Sequence, residues 1–359
     1  MTEVRGGVIL GLETSCDDAA VALVADGQRV LAEAIASQAD DFAAWGGVVP
    51  EIAARGHVTA LPGLIERVLT EARLDLGALT AVAVSAWPGL VGSLVTGVTC
   101  AKVLAARLKI PIIAVDHIQA HLAAIHLAAT DAGPVSTAPQ AITYPLVGLV
   151  ASGGHSHLYR CRAPGRIELL GGTIDDAAGE AFDKAANALG LDYPGGPAID
   201  RLAEDGDATA CVLPRPFLGD GSLRFSFSGL KTALLYHAKG PDGRAPLKLD
   251  ERGVRNACAG FRAAVVDCLI DKLLLAARRE QSRTVAVGGG VACNRDLRRR
   301  LGAECRRRGL TLHLPAPRFC ADNAAMVAAM GFFQWQRGEI ADLGLTPLPT
   351  GRAGPRAKH

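Results

Sequence analysis

The feature that most constrains this chain is that it repeats itself. Residues 8–12 form a short β-rich run, followed by the polar stretch Glu13-Thr14-Ser15-Cys16-Asp17-Asp18, a second apolar run over 19–24, a turn at Asp26-Gly27 and a third run over 29–35. The order returns after residue 145, with a run over 146–151, the tight Ser152-Gly153-Gly154, a run over 155–161, a turn at Pro164-Gly165 and a run over 167–174. Short apolar runs bounded by such turn residues read as consecutive strands. A second echo follows: 81–84 lead through Pro88-Gly89 into an apolar helix, and 284–287 lead through Gly288-Gly289-Gly290 into a helix near Asn294. Self-similarity of this kind makes both halves adopt one plan.

Helical spacing fills the intervals over 51–72, 94–108, 118–129, 180–189, 254–279, 295–308 and 323–336. Strands that meander first and are followed by βα segments predict a duplicated α/β fold, two lobes facing each other across a cleft as in actin-like and sugar-kinase-like ATPases. The expected division is an N-terminal lobe over 1–140, a C-terminal lobe over 141–337 and a flexible Pro/Gly/basic tail over 338–359. With 49% apolar and 21% charged residues in 359, the chain can bury two cores without staples.

A net charge of +2 excludes a dedicated polyanion binder, so contact with nucleic acid must be local or shared with a partner. The nine cysteines are scattered, without a C-x-x-C pair, and read as reduced thiols. The first residues lack a signal-peptide pattern, which predicts a cytoplasmic protein. The uncharged stretch 76–101 is long enough to span a bilayer, but Pro88-Gly89, Gly92 and Gly97 interrupt it, and it reads as a buried strand, a glycine turn and a buried helix, with no membrane association.

Glycine-rich turns after strands recur at Ser152-Gly153-Gly154, Gly195-Gly196-Pro197 and Gly288-Gly289-Gly290, where backbone N–H groups and a following helix can approach a phosphate. Together they favour a nucleotide-like ligand, although each alone is also an ordinary structural turn. His117 and His121 stand four apart after a predicted strand over 111–115, so one helix face can present both imidazoles to one metal ion. Asp322 is the candidate third ligand, with helix capping as its alternative role. Two histidines and a carboxylate suit iron(II) or zinc acting on a phosphate or carbonyl oxygen. A zincin needs Glu directly after the first His, and Ile118 stands there; no P-loop and no G-x-S-x-G elbow is present.

Longer motifs carry a resemblance: 10–18 (LGLETSCDD), 49–53 (VPEIA), His117-x-x-x-His121, 151–155 (ASGGH), 175–184 (DDAAGEAFDK), 193–197 (YPGGP), 227–232 (FSGLKT) and 288–294 (GGGVACN). In unbroken order over roughly 8–335, they are similar to those of the TsaD family, the catalytic subunits that make threonylcarbamoyladenosine in tRNA. The resemblance implies transfer of threonylcarbamoyl from threonylcarbamoyl-AMP to N6 of adenosine 37, in tRNAs reading codons that begin with A, with AMP released. It also implies a divalent metal, iron(II) ahead of zinc, on His117, His121 and Asp322. The adenylate would be held by Val150, Ala151, Ser152, Gly153, Gly154, Asp183, Gly196, Asp200 and Asn294, with ATP or ADP as alternative occupants. For Asp183 the competing role is a salt bridge with Lys184 or a nearby arginine. Glu13 and Asp17 are the weak candidates for a general base.

Implied partners are the tRNA anticodon loop, a TsaE-like protein and a TsaB-like protein docked on the helices over 51–72 and 94–108, with a homodimer where that partner is lacking. Two positions depart from the family pattern: Gln119 replaces the central Glu of H-x-E-x-H, and Trp87 stands where Gly-Pro-Gly is usual. The arginine runs 298–300 and 306–308 and the basic tail read equally as phosphate contacts or as a solvated surface. The rival readings are an actin-like or sugar-kinase-like ATPase, a metalloprotease, which Ile118 argues against, and a noncatalytic binding module.

Overall fold

The computed structural model describes residues 6–38, 48–128, 141–240, 243 and 245–350. They form two compact units, one of residues 1–142, 164–166 and 318–359, the other of 143–163 and 167–317.

The first unit is built on a five-stranded sheet of order β3-β2-β1-β4-β5, from β1 (Val8–Glu13), β2 (Ala19–Ala25), β3 (Arg29–Ala36), β4 (Ala81–Trp87) and β5 (Ile112–Asp116). β1–β3 are the antiparallel meander, and β4 and β5 add in parallel on the other side of β1. Helices α1 (Pro50–Ala72) and α2 (Val91–Leu108) cover one face, where Leu10, Leu12, Val82 and Val84 meet Leu61, Leu64, Val68 and Val98. Side chains alternate along a strand, so Ile9, Gly11 and Ala83 point the other way, and there the terminal helix Ala324–Gln336 lies. Covered on both faces, β2 and β4 are buried throughout. The stretch predicted as strand, glycine turn and helix is β4, Pro88-Gly89 and α2, and a short α3 (His117–Ala123) follows β5 directly.

Residues 318–337 therefore do not continue a C-terminal lobe, as the sequence suggested, but belong with the first unit. The physical reason is burial: residues 324–332 are buried without a polar face, and the second face of the first sheet covers them. The backbones meet closely at two glycines. A methyl at Gly11 would strike the carbonyl of Ala324 and crowd Ala328, and one at Gly331 would strike Ala83. The expected flexible tail is also packed over residues 338–350: Ala341 N–H donates to Ile112 O at 2.9 Å, Leu345 is buried, and Leu348 N–H donates to Ala86 O at 2.9 Å. Residues 351–359 lie outside the described residues.

The second unit repeats the topology. β6 (Leu146–Ala151), β7 (Ser156–Ala163), β8 (Arg166–Gly172), β9 (Thr284–Gly288) and β10 (Thr311–His313) run in the order β8-β7-β6-β9-β10, the same path as β3-β2-β1-β4-β5. β6 is antiparallel to β7 and parallel to β9. The helices are α4 (Ala178–Ala188), α5 (Gly195–Leu202), α6 (Ser228–Lys239), α7 (Glu251–Arg279) and α8 (Arg295–Arg308). All nine cysteines are free thiols.

One lysine, Lys272 of α7, is buried at 1% exposure and organises the loop 217–222. Its Nζ donates to Phe217 O, to Asp220 Oδ1 at 2.8 Å and to Ser222 O at 3.0 Å. The hydrogen bond from Lys272 is the largest influence on Asp220, whose carboxyl is held down to about 2 against an ordinary 3.8. A depressed carboxylate stabilises the fold above its unfolded value and ceases to as pH falls through its folded value. Two outcomes follow. Lys272→Met strands two carbonyls and lowers the urea midpoint at pH 7, and the difference from the parent shrinks as pH is lowered from about 4 toward 2. Gly11→Ala lowers stability by about 1–3 kcal/mol through overpacking, read by the same titration.

Candidate functional site

β5 ends in Asp116, whose carboxylate caps α3 by accepting from Gln119 N–H at 3.0 Å. This starts the helix at His117, and one turn later His121 lies on the same face, with ring centroids 5.0 Å apart. The terminal helix is capped by Asn323, whose Oδ1 accepts from Met326 N–H at 2.8 Å. Asp322, one residue earlier, is thus not the N-cap, and its Oδ1 lies 3.3 Å from His121 Nε2 and 3.6 Å from His117 Nε2. Ligand atoms of the three residues lie within 4.8 Å of one another. His121 is buried, yet among the described residues neither of its ring nitrogens has a hydrogen-bond partner. Buried polar atoms are almost always satisfied, and an imidazole left unsatisfied beside a second imidazole and a carboxylate is the donor set for a divalent ion. The three residues can hold a metal ion.

Glu13, at the end of β1, orients this group. Its Oε2 lies 2.9 Å from His117 Nδ1 and accepts from Ser85 Oγ, while its Oε1 accepts from Ser15 N–H at 2.6 Å. Ser15 Oγ adds a contact to His117 Nδ1 at 3.1 Å. Burial by itself would raise Glu13 and lower His117, but each outweighs that for the other: His117 is pushed up to about 10, with Glu13 and Asp322 as the cause, and Glu13 is held below the ordinary carboxylate range. With Nδ1 engaged by Glu13, Nε2 is the nitrogen turned to Asp322. Glu13 is 1% exposed and its acceptor positions are occupied, so its geometry is that of a positioning residue and not of a general base. Asp17 lies in the bend after β1, where its carbonyl accepts from Gln38 Nε2 at 2.7 Å; its carboxylate is not in the three-residue group. Sequence reasoning missed Ser15, Ser85 and the buried His57, which donates to Cys16 O at 2.9 Å and steadies that bend. Short polar residues among apolar strand residues were the only signal.

The two departures from the family pattern meet at one carboxylate. Gln119 Nε2 lies 3.3 Å from Asp116 Oδ2, and the Trp87 side chain hydrogen-bonds Asp116 as well. Burial raises Asp116 above the usual carboxylate range, countered by the backbone N–H of Gln119, the neighbouring His117, the backbone N–H of Ile118 and the Trp87 side chain. An ionised Glu at position 119 could not donate. Trp87 is the register partner of Asp116 across β4 and β5, which explains how a residue distant in sequence completes the cap.

In the second unit, β6 and β9 are neighbouring parallel strands, with Val150 opposite Gly288, so both glycine turns lie side by side at carboxyl ends of strands, where α/β sheets bind ligands. Val150 and Ala151 are buried strand residues and Ser152 N–H donates to His155 O, while Gly153 and Gly154 are exposed with open space at their Cβ positions. Gly289 has φ +88° and packs so closely on Ala151 that only glycine fits. Asp183 does not pair with Lys184, which goes to Asp176 and Glu180; its Oδ1 accepts from Gly195 N–H at 2.8 Å at the start of α5. Gly196 beside it is unobstructed. Asp200 and Asn294 come together: Asn294 Nδ2 donates to Asp200 Oδ1 at 3.0 Å while its Oδ1 caps α8, and Arg262 donates to the same Asp200 oxygen at 3.0 Å.

A family model described as TsaD, tRNA N6-adenosine threonylcarbamoyltransferase, matches residues 29–329. The chain belongs to the TsaD family. A curated tRNA N6-adenosine threonylcarbamoyltransferase from Geobacter metallireducens is 47% identical over 95% of this chain and 96% of its own length, and one from Geobacter sulfurreducens is 46% identical over 94% and 95%. Among solved structures, full-length HypF in its phosphate- and nucleotide-bound form has a TM-score of 0.57 at 16% identity, covering 93% of this chain and 47% of that one, a likeness of fold alone. The chain is thus a tRNA-modifying transferase of duplicated α/β fold.

Loaded with zinc and desalted, the full chain should retain about one ion. His121→Ala and Asp322→Ala should retain almost none while unfolding at the parent's urea midpoint or above it, and Glu13→Gln should bind about 10- to 100-fold more weakly; elemental analysis beside a chelator titration reads both.

Proposed function

We propose that the chain transfers threonylcarbamoyl from threonylcarbamoyl-AMP to N6 of adenosine 37 in tRNAs reading codons that begin with A, releasing AMP. The observation that carries the proposal is the His117–His121–Asp322 group with its unsatisfied buried imidazole, in a member of this family. An iron(II) or zinc ion on those three residues would supply Lewis-acid polarisation of a carbonyl or phosphate oxygen.

The remaining work belongs to the chain's own groups. Glu13 and Ser15 fix the His117 ring. Gly153, Gly154 and Gly196 leave backbone open to the adenylate, with Val150, Ala151 and Ser152 setting the turn; ATP or ADP would fit the same contacts. Asp183 from within α4, Asp200 from within α5 and Asn294 from the N-cap of α8 present polar groups for the nucleotide, held by their hydrogen bonds to Gly195 and to each other. In the reaction the N6–carbonyl bond forms as the bond from the carbonyl carbon to the phosphate oxygen breaks; AMP leaves with the bonding pair, and the proton lost from N6 passes to solvent. The amine is a weak base, so orientation and the leaving ability of AMP supply much of the rate.

Partner contacts are proposed from the surface. Val58 of α1 and Val91, Val95 and Val103 of α2 are 63%, 55%, 47% and 63% exposed, an apolar face suited to a TsaB-like partner or, without it, to a second copy of this chain. A TsaE-like protein completes the set that the family resemblance implies, and the cytoplasm is the compartment we propose.

The test is mass spectrometry of nucleosides from unmodified tRNA incubated with the metal-loaded chain, its partners and threonylcarbamoyl-AMP. Threonylcarbamoyladenosine should form with the parent and fall at least 100-fold with His117→Ala/His121→Ala. ATP hydrolysis without modified tRNA, indifferent to that double substitution, would favour the ATPase reading instead.

A further inference from the structure

In the second unit, a groove of about 610 Å³ lies between the C-terminal half of α7, the outer face of α8 and the loop 218–221. Its floor is apolar, from Leu218, Ile270 and Leu274, and its lining carries six arginines, Arg278, Arg299, Arg300, Arg306, Arg307 and Arg308, against three carboxylates, Asp267, Asp271 and Glu304. The pairing leaves a surplus of cations. Glu304 serves both Arg307 at 2.6 Å and Arg308 at 3.1 Å, Arg300 takes Asp267, and Asp296, outside the groove, is shared by Arg299 and Arg300. Arg278 and Arg306 are exposed, with no ion pair or side-chain hydrogen bond among the described residues. The wall opposite the helices is held in place, because buried Lys272 ties down the loop and Arg279 donates to Gly221 O.

We propose that this groove binds the sugar-phosphate backbone of the tRNA substrate, a contact additional to the one at the reacting adenosine. The inference rests on tRNA being the substrate. Guanidinium forks match phosphate oxygens in pairs, and from Arg299 to Arg308 they span about 14 Å of helix, long enough to meet more than one phosphate. The apolar floor gives the ribose or base edge a dry surface beside the charge. A net charge of only +2 for the chain hides this concentration, and the six arginines come from two helices that the sequence separates.

The experiment is equilibrium binding of unmodified tRNA to the full-length chain, by fluorescence anisotropy at stepped KCl concentrations. The parent is compared with Arg278→Glu/Arg306→Glu and with Arg278→Lys/Arg306→Lys, each checked for a parental thermal transition. The charge-reversed pair should bind at least tenfold more weakly and lower the slope of log affinity against log salt by about two, while the lysine pair should keep the parental slope. Parental affinity and slope in the folded charge-reversed variant overturn the proposal. So does loss of a protein partner's binding with tRNA binding unchanged, which makes the groove a protein-docking face. Binding isotherms require no transfer, so a parent that binds tRNA but never modifies it counts against the proposed function and leaves the groove standing.

Discussion

The site depends on a close approach between two backbones. The terminal helix comes near enough to touch β1 at Gly11 and β4 at Gly331 only because these glycines carry no side chains, and this contact carries residue 322 back across the chain to residues 117 and 121. The helix that makes the approach is buried over nine successive residues, so apolar burial drives it onto the open face of the first sheet. Its N-terminal cap, Asn323, ends the helix where the aspartate can turn toward the imidazoles. The placing of the three candidate metal ligands and the packing of the first sheet are thus one mechanical problem.

Electrostatics then decides how the ligands stand. A buried carboxylate and a buried imidazole are each costly alone, but Glu13 and His117 face each other at 2.9 Å with two serines sharing the hydrogen bonding. The ring is held by one nitrogen and presents the other. At the end of β5, Asp116 is steadied by Trp87 and Gln119, so the unusual residues of this chain reinforce the start of α3.

Much of this was legible in the sequence. The doubled strand order was, because strands and turns are marked by local residue types, and the His117/His121 spacing was, because four residues make one helical turn. The allegiance of residues 318–350 was not: a helix apolar on every side carries no amphipathic stripe to say which sheet it covers, and chain order pointed to the wrong lobe. Pro/Gly/basic composition likewise suggested a loose tail, whereas backbone bonds to Ile112 and Ala86 and the burial of Leu345 pin residues 341–348. The support given to Glu13 by Ser85, 72 residues away, lay equally beyond periodicity, since only the register of β1 with β4 brings them together. The competing role for Asp183, an ion pair with Lys184, fails because adjacent helix residues do not face each other, and the carboxylate accepts from the next helix's N-terminus instead.

X-ray absorption spectroscopy of the full-length chain loaded with one zinc ion checks the assignment of two imidazoles from α3 and a carboxylate from the start of the terminal helix to one metal centre. Two imidazole nitrogens with oxygen completing the shell are expected, at about 2.0–2.2 Å, with loss of one imidazole in His121→Ala. Sulfur scattering from one of the nine cysteines, or a shell with a single imidazole in the parent, would contradict it.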